Sequence, residues 1–204
     1  MILLIRHAEK SLTGNQDITQ NGINSALKYG NKLKQEGIQF DEIQVSPVKR
    51  CIQTAEKIID GLQCNINLQK SHLLGDPGIF VSDDQKAAKL FSDFTVCEVI
   101  NKIITNEALS GFIPIDKACK PLIGEIQKKI SSNKSVLYVS HDAIIMPFIA
   151  YLNKIKKINK INIVEYLDGY IIKKSHNNFM HLAGELVRFS AFYQRVVPRS
   201  KLAG

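Results

Sequence analysis

Two short apolar runs, at residues 2–5 and 136–139, and the short segment Ile43-Gln44-Val45 each end abruptly at polar residues, and each precedes a segment with helical spacing. So short a run, rich in branched side chains, fits a strand buried on both faces of a parallel sheet. From Thr19 to about Gln35, Ile23, Ala26, Leu27, Gly30 and Leu33 recur at helical intervals, and Gly37 supplies a stop. Ser46-Pro47 predicts a second helix start, serine capping and proline taking the first position, with Cys51, Ala55, Ile58, Ile59 and Leu62 as its inward stripe. Leu122, Ile123, Ile126 and Ile130 mark another helix, and 143–152 a further one that contains Pro147. Alternating strand and helix implies crossover connections, so the expected fold is α/β, a three-layer α/β/α sandwich with a mostly parallel central sheet and an inserted cap.

The cap is expected at about 69–119, where the alternation breaks: Gly75-Asp76-Pro77-Gly78 must turn, and Ala87, Leu90, Phe91 and Phe94 then form a helical stripe. It is expected to lie over one edge of the sheet. Asp168-Gly169, between apolar runs at 163–167 and 170–173, predicts a tight hairpin. The tail from about 175 to 204 has no clear period. A chain of 204 residues suits a single domain over 1–204.

Composition narrows the class. Hydrophobic residues at 45% and charged residues at 23% argue against disorder. The apolar run at 143–152 is half the ~20 residues a membrane-spanning helix needs. The opening Met1-Ile2-Leu3-Leu4-Ile5 runs straight into Arg6-His7 without the pattern of a secretory signal, so a soluble, cytoplasmic protein is expected, with no membrane partner. Cys51, Cys64, Cys97 and Cys119 have neither metal-knuckle nor disulfide-scaffold spacing and read as reduced thiols. Ser200-Lys201-Leu202 is not terminal and so is no peroxisomal address. A net charge of +8 attracts anions without specifying which. Lys154, Lys156, Lys157 and Lys160 read as a solvated face rather than a nucleic-acid patch, and no nucleic-acid partner is expected.

Chemistry gathers at strand ends. Arg6-His7 follows the first strand, Ser46 to Arg50 the second, and His141-Asp142 the third. In a parallel sheet these ends share one edge, the edge where open α/β sheets bind ligands. Arg50 also falls in the first turn of its helix, where the dipole disfavours a cation and an anion would offset it. Each residue alone has a structural explanation; two histidines and two arginines at one edge point to an anion site. Adjacent arginines argue against a divalent metal, and no metal or cofactor is expected.

The motifs resemble those of the histidine phosphatase, or phosphoglycerate-mutase-like, superfamily. Leu4-Ile5-Arg6-His7-Ala8-Glu9 resembles its RHG signature, and Thr19-Gln20-Asn21-Gly22 its LTxxG segment. The run from Ser46-Pro47 through Arg50 to Gln53-Thr54-Ala55 resembles its SPxxRxxQTA helix, and Val139-Ser140-His141 its second-histidine strand. The resemblance implies that His7 is a nucleophile that becomes transiently phosphorylated, while Arg6, Arg50 and His141 surround the phosphoryl oxygens. Fixed cations in a water-poor pocket suit such a transfer without a metal. A proton donor is also needed. Asp76 resembles the position of the glutamate in the branch containing the mutases. Asp142 forms a His-Asp pair like that of the phytase and acid-phosphatase branch. Ala8-Glu9-Lys10 departs from that second branch's RHGxRxP run, which favours Asp76.

Ala8 replaces the usual glycine, and residues 11–15 do not match the mutases' further substrate-gripping motifs. The resemblance therefore implies a phosphatase acting on a small-molecule phosphomonoester or a phosphoprotein. A mutase, or a non-catalytic phosphate-binding module, is the alternative. Phe80, Phe91, Phe94 and Phe112 either line a substrate pocket or fill the cap's own core. The chain leaves the substrate, oligomeric state and role of the tail open.

Overall fold

The computed structural model describes residues 1–13, 16–105, 109–175 and 178–188. The chain opens with β1 (Ile2–Arg6), α1 (Gln20–Gln35), β2 (Glu42–Val45), α2 (Lys49–Leu62) and β3 (Leu68–Lys70). Next come α3 (Asp84–Asp93), α4 (Val96–Ile104), α5 (Ile115–Ala118) and α6 (Lys120–Ser131). After these, β4 (Val136–Ser140), α7 (Asp142–Leu152), β5 (Gly169–Ser175) and β6 (Asn178–Val187) complete the described strands and α-helices. The six strands form one sheet in the order β3-β2-β4-β1-β5-β6. β3, β2, β4 and β1 are parallel, and β5 and β6 close one side antiparallel.

Alternation along the strands sorts the core into two layers. Leu3, Ile5, Leu137 and Val139 face Ala26, Leu33, Ala55 and Ile58 of α1 and α2. Ile2, Leu4, Val136 and Tyr138 face the other way, onto Leu122 and Ile126 of α6, Phe148 and Ile149 of α7, and Val99 and Ile100 of α4. The α/β/α sandwich thus follows from burial of both sheet faces. α1 and α2 meet backbone to backbone at Gly30 and Gly61, where a Cβ on Gly30 would lie 2.1 Å from the Ile58 carbonyl oxygen. That contact packs α1 closely against the last turns of α2.

Several expectations change. α2 begins at Lys49, with Val48 at the cap position and no side-chain cap bond. Ser46 lies too far before the helix to cap it; its hydroxyl oxygen accepts from Val48 N–H at 3.3 Å and also meets His141, with Nε2–Oγ at 2.9 Å. Residues 69 and 70 belong to the edge strand β3, so the insertion starts beyond them, and its helices α4 and α5 pack on α7. Phe80 is fully buried and Phe91 packs beside Phe112, whereas Phe94, just past the end of α3, is 38% exposed.

Asp168-Gly169 does not turn a hairpin: residues 163–167 form no strand, and Gly169 opens β5. The bend comes earlier, at Leu167, with a φ of 63°. A Cβ on Gly169 would sit 2.1 Å from the Leu4 carbonyl oxygen, so glycine serves the close approach to β1. The hairpin lies between β5 and β6, and the segment from 178 that lacked a period is a strand. Ser200-Lys201-Leu202 lies outside the described residues.

Candidate active site

The parallel pairing of β1 and β2 with β4 brings Arg6-His7, Ser46 and Ser140-His141 to one edge. Arg50, in the first turn of α2, reaches the same place. Its Nε donates to His7 Nε2 at 3.2 Å, and its Nη2 lies 3.1 Å from His141 Nδ1. The two imidazole rings stand edge to face with centroids 5.3 Å apart. Four of the residues singled out in the sequence therefore form one cluster.

Both histidines are held neutral. Burial is the main cause, and the positive charge of the arginines adds to it. His7 is lowered from 6.5 to about 3, and His141 to about 2. The bonds also assign the tautomers. His7 Nδ1 is 2.7 Å from the Ala8 carbonyl, so it carries the proton and leaves a lone pair on Nε2, the nitrogen that meets Arg50. His141 accepts from Arg50 at Nδ1, so its Nε2–H donates to Ser46 Oγ.

Arg6 is fixed from three sides. Nη1 donates to the Val164 carbonyl at 2.8 Å, Nη2 pairs with Asp142 at 2.8 Å, and the guanidinium carbon lies 4.4 Å from the Tyr166 ring centroid. Tyr166 also stands 5.7 Å from the His7 ring. Thr54 links the motif helix to the first loop: its hydroxyl donates to the Arg50 carbonyl and accepts from Ala8 N–H at 3.0 Å. Cys51 lies against His141, Sγ to Nε2 3.5 Å, but burial pushes its thiol up to about 12, so it is a packing group.

Asp76 is exposed on the turn that borders this cluster. Gly75, its neighbour, presses on the site: a Cβ there would lie 2.7 Å from His141 Cδ2 and 2.8 Å from Ser46 Oγ, at a φ of 141°. The Asp76 carbonyl meets His72 Nδ1 at 2.8 Å, which holds the turn and leaves the Asp76 carboxylate outside that bond. Asp142, the other candidate acid, is committed to Arg6.

Sequence reasoning missed Ser46 as a partner of His141, and Val164 and Tyr166 as supports of Arg6. The Ser46 role had a signal in its place at a strand end; the 163–168 segment carried none. Among the described residues, no group of three or more His, Cys, Asp or Glu side chains gathers as a metal site. None of the described helices is long and apolar enough to cross a membrane.

Residues 2–74 match the family model of the histidine phosphatase superfamily, branch 1. A 2,3-bisphosphoglycerate-dependent phosphoglycerate mutase of Buchnera aphidicola is 40% identical over 84 residues, 37% of this chain and 36% of the mutase. One from Elusimicrobium minutum is 33% identical over 84 residues, 37% of this chain and 34% of the mutase. These matches span about a third of the relatives' length.

Among solved structures, phosphoglycerate mutase from Bacillus anthracis superposes with a TM-score of 0.65 at 18% identity, covering 95% of each chain. Phosphoserine phosphatase of Entamoeba histolytica, solved with 3-phosphoglyceric acid, gives 0.63 at 19% identity, covering 94% of this chain and 98% of the other. The protein histidine phosphatase SixA, complexed with tungstate, gives 0.58 at 14% identity, covering 90% and 93%. At these identities the likeness is one of fold.

Proposed function

We propose, from the match of residues 2–74 to the histidine phosphatase superfamily, that the chain is a phosphatase of that superfamily, hydrolysing a phosphomonoester through a phosphohistidine on His7, without a metal. The observation that carries this reading is the His7 geometry. A neutral imidazole presents an unprotonated Nε2 to a guanidinium, with Nδ1–H anchored to a backbone carbonyl. In the first step, the Nε2 lone pair forms a bond to phosphorus as the ester P–O bond breaks, and the departing oxygen takes a proton from Asp76. Arg50 turns its N–H groups from the imidazoles to the phosphoryl oxygens, joined by Arg6 and by His141 once the bound anion has drawn a proton onto its Nδ1. In the second step, water attacks phosphorus, its proton passes to Asp76, and the N–P bond breaks to return neutral His7 and phosphate. Fixed guanidinium charges supply the stabilisation that phosphoryl transfer demands.

Asp76 is preferred to Asp142 as the proton donor because Asp142 is spent on holding Arg6. A mutase is the second reading, favoured by the names of the matched relatives. The unmatched residues 11–15 speak for hydrolysis. Acid quench with a 32P-labelled aryl phosphate should trap label on His7. His7→Ala should abolish the trapped species and lower turnover by about a thousandfold or more. Undiminished turnover, or label on another residue, would overturn the proposal.

A further inference from the structure

The segment that leads from the end of β3 to Asp76 is fastened to the same strand ends that build the cluster. Ser71 N–H donates to the Val45 carbonyl at 2.8 Å, at the end of β2. The Ser140 hydroxyl, at the end of β4, donates to the Leu74 carbonyl at 2.6 Å. These two bonds tie residues 71–74 to the strands that deliver Ser46 and His141. Neither reaches past Leu74 to Asp76.

A third bond does. His72 opens a single 3-10 turn, His72–Leu74, and its Nδ1 lies 2.8 Å from the Asp76 carbonyl. A carbonyl only accepts, so Nδ1 carries the proton. Among the described residues no other hydrogen bond or ion pair reaches Asp76. The backbone it holds is one that a chain seldom adopts unaided: Gly75 has a φ of 141° and Asp76 a φ of 63°. Residues in such sparsely populated conformations persist where their surroundings over-determine them. At Asp76 the His72 imidazole supplies that constraint.

Where a carboxyl group stands depends on the dihedrals of its own backbone, so a bond that fixes those dihedrals also fixes the side chain's origin. General acid catalysis tolerates little error there, because the proton must pass within hydrogen-bond reach. Resting on the reading of Asp76 as proton donor, we propose that His72 is a positioning residue for the proton-transfer step, its Nδ1–H holding the Asp76 backbone so that the carboxyl group stays within reach of the departing oxygen. His72 forms no bond to Arg6, His7, Arg50 or His141. The phosphoryl clamp therefore does not depend on it.

The test compares phenyl phosphate, whose leaving oxygen needs a proton, with 2,4-dinitrophenyl phosphate, whose phenolate departs without one. Because kcat/KM covers the chemistry only through departure of the leaving group, the dinitrophenyl-to-phenyl ratio of kcat/KM isolates proton donation. Asp76→Asn should raise that ratio about a hundredfold, the lower range of what a general acid supplies. His72→Leu should raise it at least about tenfold while leaving vanadate affinity within about twofold. His72→Asn, whose amide N–H can stand where Nδ1–H stands, should return the ratio to within about threefold of the unaltered protein. In an Asp76→Asn background, His72→Leu should change the ratio no further. A ratio that responds to Asp76→Asn but not to His72→Leu would overturn the inference and leave the donor standing. Equal losses on both esters, weakened vanadate binding, no rescue by His72→Asn, or a further rise in the double variant would make the bond a general brace of the turn and overturn it as well. A ratio indifferent to Asp76→Asn would remove the donor and this role together, and no turnover of either ester by the unaltered protein would overturn the phosphatase reading on which both rest.

Discussion

Two charged clusters stand at opposite ends of the same parallel strands, and they are balanced in opposite ways. At the amino end, Glu42 of β2 is buried between Lys129, at 2.6 Å, and Lys134, while Lys129 also meets Glu125 at 3.2 Å. Each charge has its counter-charge within the protein, and the two lysines hold the Glu42 carboxyl down to about 2. At the carboxyl end, Arg6 and Arg50 face two neutral imidazoles and the single carboxylate of Asp142. Both ends shift their pKa values strongly, so perturbation alone does not mark a functional site. The surplus of positive charge does: one cluster is closed upon itself, the other is complementary to something outside the chain.

The largest expected effect separates the two ends directly. Arg50→Ala should reduce kcat/KM and vanadate affinity by about a hundredfold to a thousandfold, since in the proposed reaction its fork meets the developing phosphoryl charge. Its stability should hold or rise, because a cation leaves a positive pocket. Lys129→Met should do the reverse, leaving kcat/KM within about twofold and lowering the urea midpoint, as expected when a largely buried ion pair loses one member. Comparable losses of activity in both variants would erase the distinction.

The pH dependence of stability sharpens it further. His7 and His141 fold with values of about 3 and about 2, below the ordinary 6.5, so the unfolded chain takes up their protons first. Stability from this end is complete above about 6.5 and is lost as pH falls towards about 3. Glu42, lowered from 4.5 to about 2, has the same sign but a lower window, its contribution disappearing only as pH falls below 4.5. Urea midpoints measured between 4.5 and 6.5 should therefore report the histidine end. His7→Asn should remove about half of that slope and Glu42→Gln almost none of it. A saturating oxyanion favours imidazolium and should flatten the slope; a slope indifferent to both His7→Asn and oxyanion would contradict the assignment.

The same division explains what could be read without coordinates. The site's four principal residues were legible because each follows a strand, and strand ends of a parallel sheet converge by topology alone. Asp142 was seen as a candidate acid, yet its bond to Arg6 depends on a side-chain direction that no spacing encodes. Ser46 misled for the opposite reason: Ser-Pro is a good local helix start, but the helix begins only at Lys49, and the hydroxyl meets both Val48 N–H and a buried imidazole N–H. Val164 and Tyr166 were invisible because they sit on an irregular segment fixed from outside. Its bonds include Leu167 N–H to the Arg6 carbonyl at 3.1 Å and Arg6 N–H to the Asp168 carbonyl at 2.9 Å. Asp168-Gly169 suggested a hairpin where glycine was needed to let β5 approach β1. Nothing in the chain's periodicity marked the self-balanced cluster either, since Glu42 of β2 is far along the chain from Lys129 and Lys134 at and just past the end of α6.

The smallest expected effect concerns two glycines, one at each cluster. Gly124 lies within α6 next to Glu125, and a Cβ there would meet nothing within 4 Å. Gly124→Ala should raise stability by about 0.5–1 kcal/mol, because alanine loses less backbone entropy in a helix and no neighbour has to move. Gly75 is as small but borders the cationic end, where a Cβ would strike His141 at a φ that side chains rarely adopt. Gly75→Ala should cost about 1–3 kcal/mol from the backbone alone, and it should lower vanadate affinity as His141 is displaced from Ser46. The sign of the stability change, read from urea midpoints, carries the test. If both alanines stabilised the protein, the turn before Asp76 would not be pressed against the second histidine, and Asp76 would lose its place beside the pocket.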